Sequence, residues 1–240
     1  MLKIYQESFR FFRNSFPALL TLAAVIEILI WAFEPKAEST AVGVAVIFLA
    51  YYFHRHFLFG ESFALRGNTP AEGAPPLKFG WFLLISLALI LVPTAIVLTL
   101  ILAMWNINNS FLAMLSLIFP IYLLSLSLFG TALPATVARD GTYRLAQGVR
   151  ATFATMWRLI LGPGVVGTVL LIGAIAASHV MDNLGIAADS PAALAFNIML
   201  RALGFLTTIF AVAVLCEMYR RTRPEPHATQ GSDPAGHRPA

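Results

Sequence analysis

Six apolar runs follow one another along this 240-residue chain, at about residues 17–33, 41–65, 81–105, 111–133, 159–180 and 192–219. A bilayer core of roughly 30 Å needs about 20 helical residues to cross it, and each run is long enough. Backbone N–H and C=O groups in lipid must be satisfied within their own segment, so runs of this length are helices. The expected fold class is all-α: a polytopic membrane bundle of six transmembrane helices with amphipathic interfacial helices. Composition agrees, because 58% of residues are hydrophobic, only 12% are charged and the mean hydropathy is +0.77. A soluble domain carries about 25% charged residues.

Six spans place both termini on one side, and the basic residues choose the side. Lys3, Arg10, Arg13, Arg66, Lys78, Arg139, Arg144, Arg150, Arg158, Arg220, Arg221, Arg223 and Arg238 make thirteen on the terminal side, against Lys36 alone in the opposite loops. By the positive-inside rule both termini are cytoplasmic. The net charge of +4 is therefore a topology signal, and no nucleic-acid partner is expected. The expected partners are the lipid bilayer and, through self-association or heteromeric packing, other membrane proteins. Cys216 is the one cysteine, which excludes a disulfide framework within the chain and any multi-cysteine metal site.

Leu2, Tyr5, Phe9, Phe12 and Phe16 recur at helical spacing opposite Lys3, Gln6, Arg10, Arg13 and Asn14. This predicts an amphipathic helix in the interface, with Pro17 in the first turn of the next helix. No removable signal peptide is expected there. A second amphipathic stretch, with Leu145, Val149, Phe153, Met156 and Ile160 on one face, feeds the fifth span at Gly162-Pro163-Gly164. Pro93 predicts a kink in the third span, and the fourth carries Pro120. The membrane domain thus covers residues 1–223, and 224–240, rich in Pro, Gly, Ser, Thr and His, is expected to be a disordered cytoplasmic tail. Leu58-Phe59-Gly60 returns as Leu128-Phe129-Gly130 seventy positions later. Together with a match between the regions of Phe9-Arg10 and Val149-Arg150, this suggests three helical hairpins in one orientation.

Polar groups inside the runs are the candidate site: Glu27, His54, Arg55, His56 and Glu61. Intramembrane charges are costly and take partners. Equal depth in adjacent antiparallel spans predicts a Glu27–Arg55 pair, fixing hairpin register or serving transport. His54, Leu58 and Glu61 fall on one helical face, which suits a proton relay or cation site, against snorkelling of Glu61 at the rim. Arg201 is either a buried cation near the outer side or an interfacial residue, the second being favoured, and Glu217 with Arg220 and Arg221 is expected as solvated pairs. His179 and Asp182 are too few ligands for a metal site, so no metal and no cofactor are assigned. No nucleophile elbow, zinc-protease helix, phosphate loop or dinucleotide fingerprint is present, and no catalytic residues are assigned.

Leu133-Pro134-Ala135-Thr136-Val137-Ala138-Arg139-Asp140-Gly141, followed by Gly148, Phe153, Trp157-Arg158 and Gly162-Pro163, resembles the six-span bacterial inner-membrane proteins of the YciC family. It is also similar to the membrane region of some glycerophosphodiester phosphodiesterases, whose soluble catalytic domain has no counterpart in this sequence. The resemblance implies the six-span plan and supplies no catalytic residues. The expected function is non-enzymatic: scaffolding, assembly or membrane homeostasis. The alternative is a transporter or channel with a polar path through Glu27, His54, Arg55 and His56, and a membrane enzyme acting on a lipid is the weakest reading.

Overall fold

A computed structural model describes residues 1–32, 38–63, 71, 74–103, 111–141, 146, 148–187 and 190–223; side chains are described outside 38–41, 101–103 and 111–118. It contains eight α-helices among the described residues: α1 Leu2–Ala32, α2 Glu38–Phe59, α3 Gly80–Ala103, α4 Phe111–Phe129, α5 Ala132–Ala138, α6 Val149–Leu159, α7 Val165–Asn183 and α8 Pro191–Thr222. No strand occurs among those residues. Six helical segments are long and apolar enough to cross a membrane, with α6 and α7 forming one of them. Outward-facing Leu84, Leu91, Val92 and Leu98 on α3, and Val169, Leu171, Ile172 and Val180 on α7, are exposed. So continuous an apolar surface is incompatible with water and is the lipid-facing skin of a multi-pass integral membrane protein.

The centre of the bundle is α8, which touches α1, α2, α5, α6 and α7. Its longest seam is with α1, where Leu19, Ala23 and Ile26 meet Ala202, Phe205 and Ile209 in one buried cluster. Closer to the termini, the rings of Tyr5 and Phe9 lie 4.9 and 5.3 Å from that of Phe210. At 1.5 Å per residue, the 31 residues of α1 are about 46 Å long and the 32 of α8 about 48 Å. A bilayer core of roughly 30 Å cannot cover either helix at ordinary tilt. The excess projects at the end carrying both termini, where Lys3, Arg10 and Arg13 and the last-turn Arg220 and Arg221 are exposed.

Several expected boundaries move. The first amphipathic segment is no separate interfacial helix but the first half of α1, because Ile4, Ser8, Phe11 and Ser15 are buried within the bundle. Pro17 therefore lies inside a helix, at the loss of one backbone bond to Arg13. The second run stops as a helix at Phe59 rather than continuing to residue 65, because Gly60 turns left-handed at φ +77°. The fourth run is broken at Gly130-Thr131 into α4 and α5. At Gly162-Pro163-Gly164 the chain makes a π-helical turn, Ile160–Gly164, and the Tyr5 hydroxyl donates to the Leu161 carbonyl there. Pro163 brings no N–H to the ladder, so a widened turn is the local accommodation.

Leu58-Phe59-Gly60 and Leu128-Phe129-Gly130 both end a helix, but by different means. Gly60 is left-handed, whereas Gly130 has no positive φ and serves close packing: a Cβ there would lie 2.8 Å from Leu215 Cδ2 on α8 and 2.3 Å from the Leu126 carbonyl oxygen. Residues 33–37, 64–70, 72–73, 104–110, 142–145, 147, 188–189 and 224–240, on which the expected turns and C-terminal disorder fall, lie outside the described residues.

These close approaches give a direct test. Gly130→Ala should lower the thermal midpoint of the purified protein, at a cost of about 1–3 kcal/mol for overpacking. Gly43→Ala, with nothing within 4 Å of the added carbon, should leave it unchanged or raise it slightly.

Candidate functional site

Arg55 lies one turn before the end of α2, 2% exposed, in a helix whose neighbours are aromatic. A buried guanidinium needs an anion and acceptors for its remaining N–H groups. The left-handed Gly60 supplies both by folding the chain back beneath the helix. Glu61, itself 4% exposed, accepts from Arg55 Nε at 2.6 Å and also from Nη2, a two-point carboxylate–guanidinium pair. Nη1 donates to the Pro75 carbonyl at 2.9 Å, and the Phe59 ring lies 5.6 Å from the guanidinium carbon. Arg55 is thereby enclosed by its own helix end and by the segment leading to α3. Tyr51, one turn earlier, accepts from the Lys78 backbone N–H at 3.1 Å and fixes the same segment.

The two histidines flank this closure on different faces. His54 is fully buried, donates from Nδ1 to the Ala50 carbonyl at 2.6 Å and packs its ring edge-on to Phe82 at 5.3 Å. That hydrogen bond places a proton on Nδ1, and Nε2 has no partner among the described residues. His56 donates from Nδ1 to the Glu61 carbonyl at 2.6 Å and stacks on Phe11 of α1 at 4.0 Å. The expected helical face of His54, Leu58 and Glu61 does not form, since Glu61 lies beyond the helix. Glu61 is no snorkelling rim residue either, being enclosed with Arg55.

Glu27 takes a different partner from the one expected. Its carboxylate is paired with Arg201 of α8, and Arg55 is satisfied by Glu61. The reason is helix order: α1 lies along α8 through nearly its whole length and only locally against α2, where Phe11 meets Phe53 and His56. Arg201 is correspondingly no bland interfacial residue. Its side chain retains 22% exposure against 9% for Glu27, because the pair opens on a cavity of about 460 Å³ lined also by Val46, Asn197, Gly204 and Thr208. Thr208 lines a second, more apolar cavity of about 450 Å³ with Ser86, Tyr122, Leu126 and Pro163. The hydroxyls of Tyr122 and Thr94 meet beside it.

At the end bearing the termini, polar ties connect α8 to the other segments. Arg220 donates to the Phe57 carbonyl, Arg158 reaches Met218, and the Tyr219 hydroxyl donates to Asp140 at 3.0 Å. Glu217 pairs with Arg221 at 2.8 Å in a largely exposed contact of small energetic weight. Of the sequence candidates, the structure brings Arg55, Glu61 and His56 together and leaves Glu27 elsewhere, on the α1–α8 seam. Sequence reasoning missed Arg201, Tyr51 and the Pro75 carbonyl as partners. Arg201 had a signal, being a second cation inside an apolar run.

Double-mutant cycles on thermal stability should separate the two pairs. Arg55→Gln or Glu61→Gln alone should cost about 3–5 kcal/mol, the penalty of orphaning a buried charge, with strong coupling in the double variant. Glu27→Gln should couple to Arg201→Gln, and its effect should add to that of Arg55→Gln within about 0.5 kcal/mol. Strong Glu27–Arg55 coupling would overturn the assignment. No protein-family model matches this chain, nor does any curated protein or solved structure.

Proposed function

We propose that the chain is a non-enzymatic protein of the bacterial inner membrane, with both termini cytoplasmic, whose role is scaffolding, assembly or membrane homeostasis. The observation that carries this reading is the closure of Arg55: its side chain is held by Glu61 and Pro75 inside a buried aromatic shell, as a structural cap is. Such a pair fixes how the α2 end meets the segment before α3, and both of its charges are engaged in that contact. The orientation rests on the basic residues Lys3, Arg10, Arg13, Lys78, Arg139, Arg150, Arg158, Arg220 and Arg221 at the end with the termini. The resemblance of residues 133–141 to the YciC family agrees with a six-span protein of this kind.

The cavity around Glu27 and Arg201 favours a second reading, a transporter or channel. Its path would pass Glu27 and Arg201 and would bypass Arg55.

A flux screen in proteoliposomes, with proton, cation and small-anion reporters, distinguishes the two. Wild type and Glu27→Gln should both give the leak of protein-free vesicles. A flux present in wild type and lost in Glu27→Gln, with equal reconstitution, would establish transport. Reporter fusions at Lys36 and at Asp182 should both read as periplasmic, and a cytoplasmic signal from either would reverse the orientation.

A further inference from the structure

Where α3 begins, Lys78 and Arg139 border a cavity of about 450 Å³ whose other walls include Trp81, Ile85, Thr136 and Asp140. We infer that this cavity binds the phosphate headgroup of an anionic phospholipid from the leaflet at the end bearing both termini, with Lys78 and Arg139 as its cationic ligands. Lipid binding of this kind goes beyond the scaffolding role and stands independently of it.

The backbone at Arg139 is the first support. It occupies the left-handed region at φ 54°, ψ 40°, as the residue closing α5, and the Asp140 N–H returns to the Ala135 carbonyl at 3.0 Å. Glycine is the residue that takes this position without steric cost. Among the described residues Arg139 is the one non-glycine residue with a positive φ, and an uncommon backbone conformation of this kind points to a side chain with a task. Arg139 Nη2 donates to the Pro76 carbonyl at 2.7 Å, which draws the α5 end and the 75–78 segment together. Lys78 and the rest of the guanidinium are thereby brought to one cavity, a point charge beside a planar fork, both suited to phosphate oxygens.

Asp140 does not cancel them. Its carboxylate accepts from Tyr219 and lies 3.8 Å from Arg223, and its side chain is only 7% exposed.

The surroundings select a lipid over a soluble anion. Trp81 is 70% exposed and Leu77 61%, an aromatic and an apolar anchor at the start of a membrane-length helix, where interfacial tryptophans belong. Ile85 forms the inner wall, and exposed Leu84 continues the apolar surface along α3. Headgroup and acyl chains each have a complementary surface, and cationic pockets between membrane helices recognise such headgroups.

The test is displacement of an acyl-labelled fluorescent phosphatidylglycerol from the purified full-length chain in uncharged detergent. Unlabelled phosphatidylglycerol should displace it at least about tenfold more effectively than phosphatidylcholine, and inorganic phosphate should not displace it. Lys78→Gln and Arg139→Gly should each weaken binding roughly fivefold, the worth of one cation near an anionic surface. Arg139→Gly should keep its fold, since glycine relieves the left-handed backbone; should it not fold, Lys78→Gln decides. Lys3→Gln, a highly exposed cation at the same end, should bind as wild type does. Equal displacement by phosphatidylcholine, displacement by phosphate, or an equal loss in Lys3→Gln would each overturn the site.

Discussion

A charge carried out of water must meet its opposite within one side-chain length, and that requirement shapes the interior of this bundle. Arg55 and Glu61 meet because a single left-handed glycine reverses the chain between them. Glu27 and Arg201 meet because α1 and α8 lie side by side over most of their length. The first pair is local, six residues apart, and the second spans 174 residues and closes the bundle from its first helix to its last. Around these two points the packing is mainly apolar and aromatic, with His54 and a few serines and threonines such as Ser127 and Thr155 buried among it.

The centrality of α8 follows from the same logic. Leu206, Ile209, Phe210, Val214 and Leu215 are buried along it, although α8 carries Arg201, Glu217, Arg220 and Arg221 while the lipid-exposed α3 has no charged residue and is the more apolar helix. In lipid there is no hydrophobic gain from hiding leucine among helices, so helix neighbours are chosen by shape, by small residues and by polar ties. Gly130 lets the α4 end approach Leu215, and Arg158, Tyr219 and Arg220 tie the last turns of α8 to α6, the α5 end and the α2 end. These contacts determine which helix lies at the centre, and hydropathy does not.

That is also why the sequence discloses the spans and conceals the neighbours. Run length and the absence of charge identify six crossings, since lipid imposes the same requirement on every segment. Arg55 and Glu27 stand out as intramembrane charges for the same reason. Their partners depend on which helices touch, and sequence adjacency of α1 and α2 points to the wrong one. Glu61 looks like a rim residue because the apolar run continues through Ser62, Phe63 and Ala64, while the conformation of Gly60 that ends the helix carries no signal in hydropathy. The first amphipathic pattern misleads too: Leu2 and Phe9 of its apolar stripe are exposed, while Ile4, Ser8, Phe11 and Ser15 on a neighbouring face are the ones buried in the bundle.

The separation of Glu27 from Arg201 sets a condition on assembly, because α1 enters the membrane long before α8 is made. An ionised acid costs at most about 2.5–3.5 kcal/mol on the insertion scale, its span-centre value, and less at Glu27, five residues before the end of α1, while each Leu, Ile or Val returns up to roughly 0.3–0.6. Leu19, Leu20, Leu22, Val25, Ile26, Ile28, Leu29 and Ile30 together offset up to about 2.4–4.8 kcal/mol, comparable with the upper bound on that cost. Insertion of α1 with its carboxylate unpaired is therefore not prohibited. Arrival of α8 then supplies Arg201 and the buried seam together, so the pair contributes to the docking of the last helix and not to the insertion of the first. Arg55 needs no such delay: Glu61 follows it within the same hairpin end, and its charge is satisfied as soon as α2 and the next few residues are in place.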